Sequence, residues 1–431
     1  MEIGYDESSQ SILVDPSGAI CTSCCAVGET WRNVWAISNE EGPSLLWYKY
    51  TGQVTVYDVC VDRTGNIIVV GTVNENGYFA WKWTGAGTEV WKLKIRADNC
   101  YFGACVEVGY GVVANADDDI YFAVSQLNCS LPPSEVYPAL YKYDKNKNEL
   151  WSYNFDDSAS GCTAFSVCLD ISGNVYAGAV IASSCWRTQT AKLQPDGTKV
   201  WRTTSGWSDY EDGFPVVLSY PWGGCCDYNG NFWTAVDRSK NIWGYCYEST
   251  IAGVTLHKQS KVDGSNLGHF EVGRASRGIT IDHSGNLIVT GRRIGDKSLW
   301  KLDSSGSEIW SKDTGGDTWH STTDAAGNIY VCGNRANGKS FWKYSSGGTL
   351  LWSYDTGGRT YSCSLGYTPP FAEWDVGHGT YYVDDVVSNN NKLYICILEH
   401  VASAGKEPPN PLYWTEKNQD TIYIVGNRVK S

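Results

Sequence analysis

Sixteen cysteines and six histidines carry most of the nucleophilic and metal-ligating capacity of this 431-residue chain. Cys21-x-x-Cys24, followed at once by Cys25, has the spacing of a zinc-ligand pair. No second C-x-x-C and no local His completes it, so no metal is expected, with Cys21, Cys24 and Cys25 as the single exception in spacing. The histidines, His257, His269, His283, His320, His378 and His400, are scattered. None forms H-E-x-x-H, and neither a Gly-x-Ser-x-Gly elbow nor a P-loop occurs. Asp375 and His378 are close enough in sequence to serve a hydrolase, but no motif supports them. His320 and His378 are the two placed to face a pocket. The expectation is therefore no catalytic site and no cofactor.

Aromatic rings are the other candidates for a site. Tyr101, Phe102, Trp207, Tyr210, Trp222, Tyr361, Tyr367, Phe371 and Trp374, with His378, fall in long irregular stretches beside Asp, Asn and Arg. Rings in that company suit sugar stacking or a protein hot spot. The competing reading is that they fill small cores of the loops themselves.

What positions these residues is a repeat. A Lys, a Gly five residues later and a Trp four after that recur at Lys82/Gly87/Trp91, Lys192/Gly197/Trp201, Lys301/Gly306/Trp310 and Lys343/Gly348/Trp352. Lys142/Lys147/Trp151 keeps the frame with a substitution, and Gly42 to Trp47 stretches it by one. Ahead of the frame stands an apolar run, then Asp-x-x-Gly-Asn, then a second apolar run, at 62–66, 170–174, 227–231, 282–286 and 324–328. Asp15–Ala19, Ala116–Asp119 and Ser388–Lys392 are weaker copies. Asp caps such a turn, Gly supplies its left-handed residue, and β-branched runs on both sides make a hairpin. Each unit thus reads as four strands, A to D, and tandem four-stranded units with no helical stretch read as a β-propeller.

The fold expected is all-β, a single propeller of eight blades at about Ser11–Gly52, Val54–Ile95, Ala104–Phe155, Ala164–Gly206, Gly224–Ser260, Arg277–Gly315, Trp319–Gly357 and Tyr381–Gly426. Residues 1–10 are an N-terminal extension that could add a closing strand. Unit five has His257 where the strand D Trp is expected, and unit eight has Ile422 there with Trp414 on strand C. Cys60, Cys168 and Cys225 stand two residues before the turn Asp, with Cys332 and Cys396 on strand B. These are read as small, reduced packing residues where inner strands crowd the axis.

The Gly-x-x-x-Trp close after an Asp or Ser turn resembles the tryptophan-docking repeat of PQQ-like eight-bladed propellers, a family that includes quinoprotein alcohol dehydrogenases and the assembly scaffold BamB. The resemblance implies that Trp47, Trp91, Trp151, Trp201, Trp310 and Trp352 each pack on the neighbouring blade. Vicinal Cys225–Cys226 is similar to the adjacent-Cys disulfide of the quinoprotein enzymes. Here Cys225 already has a strand A position, and no calcium or quinone constellation accompanies the pair.

The net charge of −13 argues against nucleic acid and anionic membrane as partners, and no apolar run of 18 residues exists. MEIGYDESSQ lacks the basic start and apolar core of a signal peptide. On strand order, the short A–B and C–D turns share one face. The long segments share the other: D–A loops Arg96–Tyr101, Trp207–Gly223 and Arg359–Thr380, and B–C loops Ala26–Asn33, Gln126–Tyr137 and His400–Pro411. Variable loops on a rigid scaffold are where binding concentrates. The function expected is non-enzymatic recognition or scaffolding: a structural virion component, such as a phage tail- or capsid-associated adhesin, assembled in a reducing cytoplasm. Its partners would be other proteins of a large assembly, with a host-surface glycan on the long-loop face. The alternatives are a quinoprotein-like or glycan-cleaving enzyme and a BamB-like scaffold.

Overall fold

A computed structural model describes residues 30–429, apart from 39–42, 52–54, 73–77, 95–107, 129–134, 156–162, 171, 183–185, 206–208, 212–213, 217, 243–244, 248–254, 274, 366–371, 374–379, 382–385, 390–391, 397, 399 and 418–420. Seven antiparallel four-stranded sheets follow one another around an axis. Blade two runs Val56–Val61, Ile67–Gly71, Tyr78–Trp83, Glu89–Lys94, from the axis outward. Blades three, four, six and seven repeat that order, from Val108, Thr163, Ser276 and Thr318 respectively. Blade five uses Leu218–Cys226, Phe232–Ile242, Leu256–Gln259 and Asn266–Phe270. The innermost strands touch in a closed circle, so the ring has no open edge at the axis.

The blade count is seven, not the eight expected from the repeats. Blade one is composite. Its inner strands are Gly358–Leu365 and Thr421–Val429, and its outer strands are Thr30–Ser38 and Ser44–Tyr50. Thr30–Ser38 pairs along its whole length with Thr421–Val429, from Thr30↔Val429 to Ser38↔Thr421. The two ends of the chain thus close the ring within one sheet. Unit one supplies the two outer strands of that blade and unit eight one inner strand, Thr421–Val429, while the other inner strand, Gly358–Leu365, precedes unit eight. The rest of unit one, residues 11–29, lies outside the described residues, as do 1–10.

Unit eight failed for an identifiable reason. Val386–Asn389 and Lys392–Cys396 do form the hairpin its Asn-rich turn announces. That hairpin pairs with Trp414–Lys417 and Ala372–Glu373 in a separate small sheet. The sheet is inserted between the two inner strands of blade one and has its own core of Tyr381, Val387, Tyr394, Cys396 and Trp414. A hairpin signal is local and cannot say which sheet it joins. Several segments assigned to loops are also strand: Arg359–Leu365, Thr30–Asn33, 126–128 and 135–137. Trp207–Gly223 contains the hairpin 209–211/214–216 and the start of an inner strand.

The repeated motif builds the seams between blades. In blade two, Asp62 Oδ1 accepts the Asn66 amide at 2.8 Å and Gly65 takes φ +83°. The other Asp62 oxygen, Oδ2, lies 2.6 Å from Lys82 Nζ, both groups buried. Lys301–Asp282 repeats the pair at 2.8 Å in blade six. Blade three reaches the same end with different residues. Its turn begins at Asn115, one residue before the expected ADDD, Asp118 supplies the left-handed position, and the carboxylate moves to Asp119, 2.9 Å from Lys142.

Each Lys sits opposite the docking Trp on the next strand out, as in Lys192↔Trp201 and Lys301↔Trp310. The indole then crosses to the following blade. Trp47, Trp151 and Trp310 donate Nε1–H to the carbonyls of Gly85, Pro195 and Ser346, at 2.9, 3.0 and 3.1 Å. Lys142 and Lys301 reach the same Pro195 and Ser346 carbonyls. Beside each carbonyl a turn Gly meets the ring: a Cβ on Gly197 would stand 2.9 Å from Trp151. Burying each indole contributes about 2–3 kcal/mol.

Among the described residues, two seams depart from the pattern. Lys147, at φ +72°, replaces the glycine that would seat Trp91, and Trp91 Nε1 is buried with no hydrogen-bond partner. In blade five the residue opposite Lys258 is Gly268, not His257, which lies on the third strand. The Phe270 ring folds over Gly268 and docks on Gly306 of blade six, taking the place of the Trp.

Candidate binding site on the propeller axis

The inner strands begin on the face toward which their preceding loops lead, and their first residues turn into the axis around a cavity of about 290 Å³. All seven blades contribute to its wall. Crowding explains part of the composition: a Cβ on Gly223 would stand 2.8 Å from the Arg277 carbonyl.

The wall is lopsided. Tyr110, Tyr57, Tyr361 and Trp319, from blades three, two, one and seven, form a continuous half-ring. Successive centroid distances along it are 4.8, 6.1 and 5.8 Å. The other half is lined by Ser166, Val167, Gly223 and Gly224. Burial, then the neighbouring Tyr57, pushes the Tyr110 phenol up to about 12, so it stays protonated. Arg277 is buried, stacks on Trp319 at 3.8 Å and pairs with Asp317 at 3.1 Å. Arg359 is exposed, 5.2 Å from the Trp319 ring and 5.8 Å from that of Tyr361. Two guanidiniums and an aromatic arc thus share one side of the cavity, a surface for an anion attached to a flat ring.

Three polar side chains line the same cavity, one from each of three blades. Asp58 accepts the amides of Val59 and Val112 at 2.9 Å each and the Ser362 hydroxyl at 2.6 Å. His320 Nδ1 lies 3.3 Å from Ser362 Oγ and accepts the Cys363 amide at 3.5 Å. The Ser362 hydroxyl has one proton and its contact with Asp58, at 2.6 Å, is the shorter of the two, so the proton goes to the carboxylate and not to the imidazole. The cluster therefore lacks the Ser-to-His relay of a hydrolytic triad. Burial raises the Asp58 pKa against the opposing pull of His320 and its hydrogen bonds. Burial acts to lower the His320 pKa, but the contacts with Cys363 and the charge of Asp58 outweigh it, so the net shift is upward.

Of the expected binding residues, the cavity includes Tyr361. Trp222 lies in the inner strand of blade five and Tyr210 in the short hairpin before it. Tyr101, Phe102, Trp207, Tyr367, Phe371, Trp374 and His378 lie outside the described residues, as do Asp375, Cys21, Cys24 and Cys25. Sequence reasoning missed Arg277, Trp319 and Tyr57. Their signal was position: each is the second residue of an inner strand, ahead of a turn Asp or its equivalent. Seven cysteines among the described residues are free, and Cys168 and Cys226 face each other at 3.5 Å between blades four and five.

By class the chain is a seven-bladed β-propeller. No family model matches it, and no curated protein does. Among solved structures it is similar to a streptogramin B lyase at 10% identity over 92% of this chain and 98% of that one, with a TM-score of 0.50. A catalytically inactive virginiamycin B lyase from Staphylococcus aureus with quinupristin gives 10%, 92%, 99% and 0.49 on the same measures. A protein of unknown function from Bacteroides caccae gives 12%, 75%, 93% and 0.42. At these identities the likeness is one of fold.

Proposed function

We propose that the protein is a recognition propeller that takes a small ligand, bearing a flat ring and an anionic group, into its axial cavity. The observation that carries this is the meeting of Arg277, Arg359, Trp319 and Tyr361 on one side of a cavity to which every blade contributes. The aromatic arc offers stacking, the guanidiniums offer charge, and the small residues opposite leave room for the ring. This keeps the recognition role expected from the sequence but moves it from loop aromatics to the axis. No described residue favours a virion setting or a glycan on the outer loops.

Titration of Trp fluorescence with aromatic carboxylates and nucleoside monophosphates tests the reading. A member should bind, and Arg359→Ala and Trp319→Leu should each weaken it at least tenfold. Binding that ignores both substitutions would sink it. A second reading, chemistry on the bound ligand, is favoured by Asp58, Ser362 and His320 lining the same cavity. For that reading, His320→Asn should abolish turnover of the bound compound while leaving its affinity within a few-fold.

A further inference from the structure

We propose that the seam between blades four and five holds a second binding site, for a small, neutral, hydroxyl-rich ligand of about monosaccharide size. A cavity of about 220 Å³ lies there, apart from the axis. One residue that shapes it, at the third-strand position before the seam Lys, differs between blades. That position holds Trp81, Trp300 and Trp342 in blades two, six and seven, Tyr141 in blade three and Ala191 in blade four. In blade five the same position is His257, a smaller ring.

The described residues around the cavity are threonines, Gln259, Asn266, two histidines, Val236 and Gly264, with no Lys, Arg, Asp or Glu among them. The histidines are held neutral by a chain of hydrogen bonds. Gly268 donates its amide to Asn266 Oδ1 at 3.0 Å, which fixes the other end of that amide as Nδ2. Nδ2 donates to His269 Nε2. His269 therefore carries its proton on Nδ1 and donates it to His257 Nδ1 at 2.8 Å. Protonating either ring would set two donors face to face. An ion entering this cavity would lose its hydration without meeting a counter-charge from the described lining.

On the facing wall, Gln259 Nε2 lies 2.9 Å from both the Thr190 and the Thr203 hydroxyls. The Gly264 carbonyl, an acceptor only, lies 3.5 Å from the same nitrogen and supports that orientation of the amide. Gln259 Oε1 and the Thr234 hydroxyl are left buried with no hydrogen-bond partner. Buried polar atoms without partners are costly, so this site calls for a guest that supplies donors beside hydroxyls able to accept. A hydroxyl group does both.

The test is calorimetry and saturation-transfer NMR at pH 7.5 with D-glucose, D-galactose and myo-inositol, against glucuronate and glucosamine as charged counterparts. At least one neutral compound should bind with millimolar or tighter affinity, and its charged counterpart at least tenfold more weakly. Thr234→Val and Gln259→Leu should each weaken binding at least fivefold. His257→Trp should plug the cavity and abolish binding while the protein still melts cooperatively. Arg359→Ala should leave this binding unchanged, which separates it from the axial site. The proposal is overturned if no neutral compound binds, if binding survives His257→Trp, if glucuronate binds equally well, or if crystals grown with the best binder hold only water in the cavity.

Discussion

At the rim of the ring Trp151 meets Gly197 as Trp310 meets Gly348, each indole bonded to a carbonyl two residues before the glycine. At the axis the position that bulges from each inner strand is aromatic in six blades and Arg277 in the other, while the residue after it differs from blade to blade: Asp58, Gly111, Ser166, Gly223, Gly278, His320 or Ser362. The same strands therefore follow two rules at their two ends. Closing a ring poses one geometric problem at every seam, and one solution is copied around it. Lining the axis leaves the residue after the bulge free to differ, because all blades share a single cavity. Repetition marks what holds this protein together, and departure from it marks what the protein can hold. The seam of blades four and five holds its own cavity, beside His257, at a position that is Trp in blades two, six and seven.

Substitutions at the two regions should separate stability from binding. The largest effect is expected at a seam ion pair. Asp282→Ala strands the buried Lys301 charge and should cost about 3–5 kcal/mol in urea denaturation. A cost under 1 kcal/mol would show that the pair does not hold the seam.

Next comes the indole seat. Gly197→Ala combines a left-handed backbone, φ +88°, with a Cβ 2.9 Å from Trp151, and should cost about 2–4 kcal/mol. Gly65→Ala has the same backbone, φ +83°, with nothing within 4 Å, and should cost only about 1–2 kcal/mol. Equal losses at the two sites would remove docking as the cause.

At the axis the order reverses. Arg359→Ala should change stability by no more than about 0.5 kcal/mol, as for an exposed residue, while ligand affinity falls at least tenfold.

A smaller effect concerns pH. Burial holds the His269 pKa below its ordinary value, so between that depressed value and about 6.5 the unfolded chain binds more protons. The stability contributed by neutral His269 is present above about pH 6.5 and is lost as pH falls through the folded value. Melting curves from pH 8 to 5 should show wild type losing more than His269→Gln. The opposite order would refute the hydrogen-bond chain that keeps this pair neutral.

The smallest change is expected from Lys147→Gly. It should relieve the φ +72° strain at the seat of Trp91 and raise stability by about 0.5 kcal/mol, the strain relief offset by the greater freedom of glycine in the unfolded chain.

The rim has one further regular feature. The residue before each docking position, Leu46, Val90, Leu150, Val200, Leu267, Ile309 or Leu351, is apolar and about half exposed, once per blade. Single exposed apolar residues are ordinary on a protein surface. Their regular spacing follows from strand alternation, in which the inward indole and its outward neighbour are set by the same period of two.

The sequence by itself determined the blade: its four strands, its Asp-capped turn and its docking Trp. All of these lie within about forty residues of one another, so each copy writes the whole instruction. Local signals also survive substitution, as Asn115–Asp119 shows by moving the carboxylate to the other end of the turn. Only the tertiary structure decided that there are seven blades, because closure depends on Thr30–Ser38 pairing with Thr421–Val429 across nearly the entire chain. It alone also decided the axial cavity: the repeat puts Tyr57, Arg277 and Trp319 each five residues before a turn Asp, but only closure of the ring brings them and Arg359 around one space. The physical reason is range: hydrogen-bonded turns and strand alternation act over a few residues, whereas a shared axis is set by how every sheet packs on the next.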